Sequence, residues 1–194
     1  MRKIDPFHYG RIEKDELNQQ AQQNYFQLVD EAEEFYNSQI RAVVEQMSRK
    51  RDHADTICLS GPSASGKTTT AHMLARHFRA SGRKSTVISL DDFYLNTEQT
   101  PLNDRGKPDF ESIYALDIEL INRCIAQLVN EGRTMIPYFD FHERRRAPDR
   151  SQEILMQGDD VVIIEGLHGL NPMLTQLVGE DKVTRIFASV RSRF

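Results

Sequence analysis

Residues 56–70 read TICLSGPSASGKTTT, an apolar run followed by a loop rich in glycine and serine and by the start of a helix-like segment. The loop contains the pattern G-x-x-x-x-G-K-T between Gly61 and Thr68. Backbone N–H groups of such a loop cradle phosphate oxygens, and the following helix adds the positive end of its dipole. The lysine of the pattern reaches the outer phosphates, and its threonine hydroxyl binds Mg²⁺. Because a strand-like run precedes the pattern and a helix-like run follows it, the sequence predicts a phosphate-binding loop.

Strand-like and helix-like segments alternate after residue 55. Strands are predicted at residues 56–60, 85–90, 134–141, 161–164 and 183–190, with helices at 69–78 and 112–130. The run VVII at 161–164 is typical of a strand that is buried on both faces of a parallel sheet. The alternation predicts an α/β protein with the P-loop NTPase three-layer fold, in which a mostly parallel sheet carries helices on both faces.

The N-terminal part of the chain has a different pattern. Residues 1–23 are polar and predict a loose leader or a docking arm, whereas residues 24–51 carry apolar side chains at helical spacing. This helix either packs on the domain's own sheet or serves dimerisation or docking. We therefore expect a leader with an amphipathic helix at 1–51 and a P-loop domain at 52–194.

Composition narrows the class of protein. The chain has 194 residues, of which 39% are hydrophobic and 28% charged, with a net charge of −4. This charge argues against broad binding to nucleic acid. Cys58 and Cys124 lack the spacing of metal ligands and are expected to be buried thiols. Neither a signal peptide nor an apolar run of membrane length is visible, so we expect a cytoplasmic protein without a membrane partner.

Acidic side chains follow three of the predicted strands. Asp91 and Asp92 come after the second strand, Asp140 ends the third, and Glu165 follows the buried run. The carboxyl ends of parallel strands meet at one edge of a sheet, where a carboxylate can hold Mg²⁺ or accept a proton from an attacking hydroxyl. This arrangement predicts phosphoryl transfer, with Lys67 on the transferred group and Asp91 as the base.

Basic and aromatic residues lie near the same edge. The run Arg144-Arg145-Arg146 either contacts a substrate or forms a solvated loop that balances nearby acids. Tyr94, Phe139 and Phe141 could stack on a planar base, although core packing is at least as strong an expectation for Phe141.

Four blocks, in this order, resemble the uridine kinase and phosphoribulokinase family. They are GPSASGKTT at 61–69, SLDDFY at 89–94, PYFDF at 137–141 and VIIEG at 162–166, and the match extends over residues 56–190. The segments at 106–117 and 165–172 look closest to the bacterial nucleoside kinase branch.

The resemblance implies roles for individual residues. ATP phosphates and Mg²⁺ would lie against the phosphate loop, formed by Gly61, Ser63, Ser65, Gly66, Lys67, Thr68 and Thr69, with Glu165 near the metal. Asp91 matches the catalytic aspartate, and Glu111 falls where an acidic residue binds ribose hydroxyls. Tyr94 and Phe139 match aromatic residues beside the substrate base. The resemblance also implies a small-molecule substrate and allows a homo-oligomer.

Two departures from the family pattern bear on function. Arg144 falls where uridine and cytidine kinases carry a histidine that reads the base, and the Arg-rich lid helix expected after residue 190 is absent from this chain. The expected activity is transfer of the γ-phosphoryl group of ATP to the 5′-hydroxyl of a nucleoside. The alternatives are a kinase of another small hydroxyl compound, such as a phosphosugar gripped by Arg144–Arg146, and a non-catalytic ATP-binding module.

Overall fold

The computed structural model describes residues 13–48 and 55–189, and it divides the chain into two compact units. One unit comprises Met1–Lys50 with Arg191–Phe194, and the other comprises Arg51–Val190. No helix among the described residues combines the length and the apolar character needed to span a membrane.

The first unit contains one long helix, α1 (Lys14–Ser48). It begins ten residues before the helix start predicted at residue 24, so residues 14–23 are helical rather than a loose segment. Asn24 departs from helical geometry, and its Oδ1 accepts a hydrogen bond from the backbone N–H of Gln27 at 3.2 Å. The side chain thus caps the second segment of the helix, and the start predicted at residue 24 coincides with this cap. Residues 1–12 and 49–51 of the predicted N-terminal region lie outside the described residues.

The second unit is built on a parallel sheet with the strand order β2-β5-β1-β6. The strands are β1 (Asp55–Ser60), β2 (Ser85–Ser89), β5 (Val161–Glu165) and β6 (Val183–Phe187). Every residue of β1 and β5 is buried, as expected for central strands that are covered on both faces. The predicted parallel sheet is therefore confirmed.

Helices cover both faces of this sheet. Helix α3 (Ile118–Glu131) shares a hydrophobic cluster with Val162 and Ile164 of β5. Successive strand residues point to opposite faces, so the equally buried Val161 and Ile163 face the other layer, where α2 (Lys67–Ala80) packs. The three-layer α/β architecture predicted from the sequence is confirmed.

The third predicted strand belongs to a different structure. β3 (Arg133–Asp140) pairs antiparallel with β4 (Arg145–Leu155) in a separate two-stranded sheet, with an irregular register between Pro137 and Phe139. The sequence prediction placed β3 in the parallel sheet and an arginine-rich loop where β4 lies, and both points were wrong. The side chains of β4 are mostly exposed and polar, so this strand lacks the apolar alternation that would have revealed it.

Candidate active site

The phosphate loop takes its shape from two glycines. A Cβ atom on Gly61 would lie 2.1 Å from the carbonyl oxygen of Ala188, so the loop passes too close to the chain after β6 for any side chain. Gly66 has a φ of 82°, in the left-handed region that glycine adopts without strain. The carbonyl of Gly66 then accepts hydrogen bonds from the backbone N–H of Thr70 at 2.8 Å and from its Oγ1 at 2.9 Å, which start α2.

Most of the predicted site residues line one cavity of about 310 Å³. Ser63, Lys67 and Thr68 reach it from the loop and α2, and Asp91 and Glu165 reach it from the ends of β2 and β5. Tyr94 and Glu111 complete the predicted set on its wall, beside Phe110, Gly166 and Leu167. The Lys67 ammonium donates to the carbonyl of Pro62 at 3.0 Å, so it lies folded over the loop. The other predicted residues of this site do not line the cavity: Gly61, Ser65 and Gly66 belong to the loop, and Thr69 lies in the first turn of α2.

A serine holds the two acidic strand ends together. Ser89 pairs with Glu165 in the parallel register of β2 and β5, and its Oγ donates to Glu165 Oε1 at 3.0 Å. The same Oγ accepts from the backbone N–H of Asp91 at 3.3 Å and so caps the short 3₁₀ turn Leu90–Phe93. One side chain therefore contacts both the Glu165 carboxylate and the backbone of the turn that carries Asp91.

Burial shifts the pKa of the aspartates in the turn after β2. The pKa of Asp91 is raised because the surrounding protein displaces water, although the Lys67 ammonium pulls it down. Desolvation also raises the pKa of Asp92, against a backbone hydrogen bond from Phe139 that lowers it. Both groups consequently hold a proton more readily than a free aspartate, which is the direction expected of a carboxylate that accepts a proton during a reaction.

A second cavity, of about 420 Å³, adjoins the first. Its wall is largely aromatic, and Tyr94 and Phe110 line both cavities. The other lining residues are Lys107, Pro108, Phe139, Phe141 and Arg144. The ring of Tyr94 lies 5.6 Å from that of Phe139 and 5.7 Å from that of Phe110, measured between centroids. We call this second space the aromatic cavity.

The aromatic side chains are held in place differently. The Tyr94 hydroxyl donates to the carbonyl of Phe110 at 3.0 Å, and burial together with Asp91 and Glu111 raises its pKa to about 12. Phe139 is buried, whereas Phe141 is 59% exposed and does not belong to the core. The core packing considered for Phe141 was therefore wrong, and Phe139 is the one of these two phenylalanines that combines burial with a place on the cavity wall.

The three consecutive arginines have three different environments. Arg146 donates to the carbonyls of Phe93 and Tyr94 and to Asp117 Oδ2, at 3.0, 3.1 and 2.9 Å. Arg145 is exposed and lies 3.7 Å from Glu143. Arg144 lines the aromatic cavity with a φ of 52°. The run therefore does not act as one patch, because Arg146 supports the fold and Arg144 alone faces a cavity.

Asp140 does not join the acidic group at the sheet edge. Its Oδ1 accepts hydrogen bonds from the backbone N–H groups of His142 and Glu143, at 2.9 and 3.1 Å. These bonds lower its pKa and close the turn between β3 and β4. Asp140 lies apart from the cavity because β3 is not a strand of the parallel sheet.

Sequence reasoning missed two polar residues that organise the site. One is Ser89, whose place between a strand and an Asp-rich turn is an N-cap signal that could have been noticed. The other is His168, whose Nε2 lies 2.8 Å from the carbonyl oxygen of Glu111 and connects the loop after β5 to the opposite wall. No local pattern predicts this contact, since the residues are separated by 57 positions.

Comparisons with known proteins agree on the family. Its sequence profile, described as Phosphoribulokinase / Uridine kinase family, matches residues 56–177, more than half of the chain. Uridine kinase from Saccharomyces cerevisiae is 34% identical over 116 residues, which cover 59% of this chain and 22% of the yeast protein. The chain spans 22% to 56% of the length of curated uridine kinases that it matches.

Solved structures share the fold. A possible uridine kinase from Bacillus stearothermophilus superposes with a TM-score of 0.60 at 19% identity, over 75% of this chain and 78% of that chain. D-glycerate 3-kinase from Cryptococcus neoformans gives a TM-score of 0.51 at 24% identity, over 69% of this chain and 52% of that one. Because the family profile covers most of the second unit, this chain belongs to the Phosphoribulokinase / Uridine kinase family.

Proposed function

We propose that this chain is an ATP-dependent kinase that phosphorylates the 5′-hydroxyl of a nucleoside. The observation that carries the proposal is the meeting of Lys67, Thr68, Asp91 and Glu165 in one cavity that adjoins an aromatic one. The first cavity supplies what phosphoryl transfer requires of a protein, namely positioning and compensation of charge. Relatives named uridine kinase support the choice of a nucleoside as the acceptor.

The phosphate donor would lie against the loop. Backbone N–H groups between Gly61 and Thr69 would bind its phosphates, and Lys67 would leave the carbonyl of Pro62 to contact the transferred group. The resemblance to the family makes ATP the donor. In this position the phosphate charge would be compensated before transfer begins, which is the main electrostatic need of the reaction.

The residues present also fit Mg²⁺. Thr68 and Glu165 offer a hydroxyl and a carboxylate on the same cavity wall, and no cluster of three or more His, Cys, Asp and Glu side chains among the described residues could hold a metal alone. Mg²⁺ commonly takes one or two protein oxygens and completes its shell with phosphates and water. Bound there, Mg²⁺ would neutralise charge that develops on the phosphates.

The acceptor would enter from the aromatic cavity. Tyr94 and Phe139 would contact its base, and Glu111 would accept hydrogen bonds from the ribose hydroxyls. Asp91 would take the proton of the 5′-hydroxyl as the new bond to the γ-phosphorus forms and the bond to the leaving oxygen of ADP breaks. Desolvation of Asp91 makes it a better proton acceptor than a solvated aspartate.

A phosphosugar is the second candidate acceptor. Two cations, Lys107 and Arg144, line the aromatic cavity and could bind a phosphate. Arg146 is committed to Asp117 and two carbonyls, so the three-arginine grip expected from the sequence is reduced to one arginine. The fold is compatible with acceptors other than nucleosides, since D-glycerate 3-kinase shares it.

The test is phosphoryl transfer from Mg-ATP to a panel of nucleosides, phosphosugars and glycerate, with the Asp91→Asn and Lys67→Ala variants beside it. We expect a nucleoside 5′-monophosphate, no product from Asp91→Asn with ATP binding retained, and weaker ATP binding by Lys67→Ala. Lys84→Ala is the matched control, because Lys84 also donates to one carbonyl, that of Leu155, away from the cavity. Product from phosphosugars alone would select the second candidate, and ATP binding without any product would indicate a non-catalytic module.

A further inference from the structure

The charged side chains that line the aromatic cavity are all positive. Its lining includes two cations, Lys107 and Arg144, and no carboxylate or amide side chain. Both cations are donors only, because ammonium and guanidinium groups have no lone pair to accept a hydrogen bond. Among the described residues, neither of them forms an ion pair with a carboxylate. The two groups are therefore available to a ligand that offers oxygen acceptors.

The backbone at Arg144 adds a second observation. Its φ of 52° lies in the left-handed region, which is costly for arginine and free for glycine. The carbonyl of Arg144 accepts a hydrogen bond from Thr97 Oγ1 at 3.0 Å, which anchors the turn. Arg144 thus lines the cavity from a backbone conformation that glycine would adopt with less strain.

The remaining wall indicates the shape of the ligand. Four aromatic rings, those of Tyr94, Phe110, Phe139 and Phe141, favour a planar ring that can stack or contact an edge. A phosphosugar would satisfy the cations and leave the aromatic surface without a planar partner. The combination of flat apolar walls and donor-only cations fits a heterocycle with carbonyl oxygens on its outer edge.

We propose that Lys107 and Arg144 select acceptor nucleosides whose base presents oxo groups, and reject bases that present an amino group at the same edge. Uracil and hypoxanthine carry a carbonyl oxygen at C4 and C6, respectively, whereas cytosine and adenine carry an amino group at the same positions, whose N–H donors would face two cations. A hydrogen bond to a charged group is strong, and a donor facing a donor leaves both without partners. The proposal rests on the proposed function, since it takes the aromatic cavity as the acceptor side of the site.

The experiment measures equilibrium binding of two matched pairs, uridine with cytidine and inosine with adenosine. Each pair differs in one exocyclic group, oxo or amino, and in the hydrogen on the neighbouring ring nitrogen. We expect the oxo member to bind about tenfold more tightly in each pair. In a Lys107→Met, Arg144→Gly double variant the ratio should fall to about twofold or less. Glycine suits the φ of residue 144, so this change removes the side chain without straining the turn.

Arg145→Ala is the matched control, because Arg145 is an exposed neighbour that does not line the cavity and should keep the full ratio. Thermal unfolding of each variant checks that the fold is intact. Equal binding within both pairs, a ratio that survives in the double variant, or binding of none of the four nucleosides would overturn the inference. Ribose 5-phosphate serves as a further probe, and its binding through the same two side chains in preference to uridine would also overturn it.

Phosphoryl transfer, measured in parallel, separates this inference from the proposed function. Oxo-selective binding without transfer would remove the kinase function and leave the inference standing. Transfer to uridine and cytidine with equal kcat/KM and equal affinity would remove the inference and leave the kinase function standing.

Discussion

Ser89 and Glu165 face each other at the ends of β2 and β5, and the hydroxyl of Ser89 donates a 3.0 Å hydrogen bond to Oε1 of Glu165. Ser89 Oγ also accepts a hydrogen bond from the backbone N–H of Asp91. The carboxylate proposed to approach the metal and the one proposed to accept the proton are thus connected through a single side chain.

Replacing Ser89 with alanine tests this connection. We expect Ser89→Ala to lower kcat by about tenfold, because Glu165 and the turn that carries Asp91 both lose a hydrogen bond that fixes their positions. The Mg²⁺ concentration needed for half-maximal activity should also rise, and it is measured by titrating the metal at saturating ATP. Ser85→Ala is the matched control on the same strand, since Ser85 Oγ donates to the carbonyl of Ala75 outside the cavity. An equal change in this Mg²⁺ concentration in Ser89→Ala and Ser85→Ala would contradict the role assigned to the Ser89 hydroxyl.

Arg146 should matter for stability more than its neighbours do. Arg146→Ala removes the ion pair with Asp117 and two hydrogen bonds to carbonyls, all made by a side chain that is only 26% exposed. We expect a loss of about 2–3 kcal/mol in the free energy of unfolding, measured by urea denaturation. Arg145→Ala should change it by less than about 0.5 kcal/mol, since that side chain is 65% exposed. Similar losses in the free energy of unfolding for Arg146→Ala and Arg145→Ala would contradict the structural role assigned to Arg146.

The raised pKa of Asp91 predicts opposite effects on activity and stability. A base must be ionised, so kcat/KM should fall as the pH drops through the pKa of Asp91, at a pH above the ordinary value of 3.8. The native state disfavours the charged carboxylate, so the stability that this group provides is present at low pH and is lost as the pH rises through its folded pKa.

Asp91→Asn is therefore expected to be inactive yet more stable to heat than the unchanged protein at pH 7. The difference in Tm should shrink as the pH is lowered, since protonated aspartic acid and asparagine are both neutral. Asp140→Asn provides a contrast, because the pKa of Asp140 is lowered and the loss of its charge should not stabilise the protein. An Asp91→Asn variant that is less stable than the unchanged protein at pH 7 would show that desolvation does not dominate at this residue.

The sequence was most informative where local chemistry leaves few alternatives. The phosphate loop could be predicted because Gly61 and Gly66 meet two different steric demands, close approach to Ala188 and a left-handed φ. The buried strand β5 could be predicted because four consecutive β-branched residues suit only a strand covered on both faces. Each of these two signals is contained in a few consecutive residues and could be recognised from the residue pattern alone.

Contacts between distant parts of the chain could not be predicted in the same way. Arg146 looked like part of a basic surface run, and only its approach to Asp117, 29 positions away, shows it to be a structural residue. The exposed, polar strand β4 gave no periodic signal, so β3 was assigned to the wrong sheet. Long-range pairing decides such cases, and it is visible only once the strands have been placed.

His168 offers the sharpest test of how the two walls of the proposed site cooperate. Its Nε2 bonds to the carbonyl of Glu111 at 2.8 Å, and a carbonyl can only accept, so this nitrogen carries the hydrogen. The bond holds the segment that presents Glu111 to the cavity. We expect His168→Ala to raise the KM for the nucleoside about three- to tenfold, with little change in kcat or in the KM for ATP, because only the acceptor side loses its support.

Conservative and control variants complete this test. His168→Gln keeps an N–H donor on a side chain of similar reach and should recover part of the acceptor affinity. His142→Ala should leave both KM values unchanged, since His142 is exposed and does not line either cavity. An equal rise in the KM for ATP and for the nucleoside would mean that His168 supports the site as a whole, and its assigned role in positioning Glu111 would then be wrong.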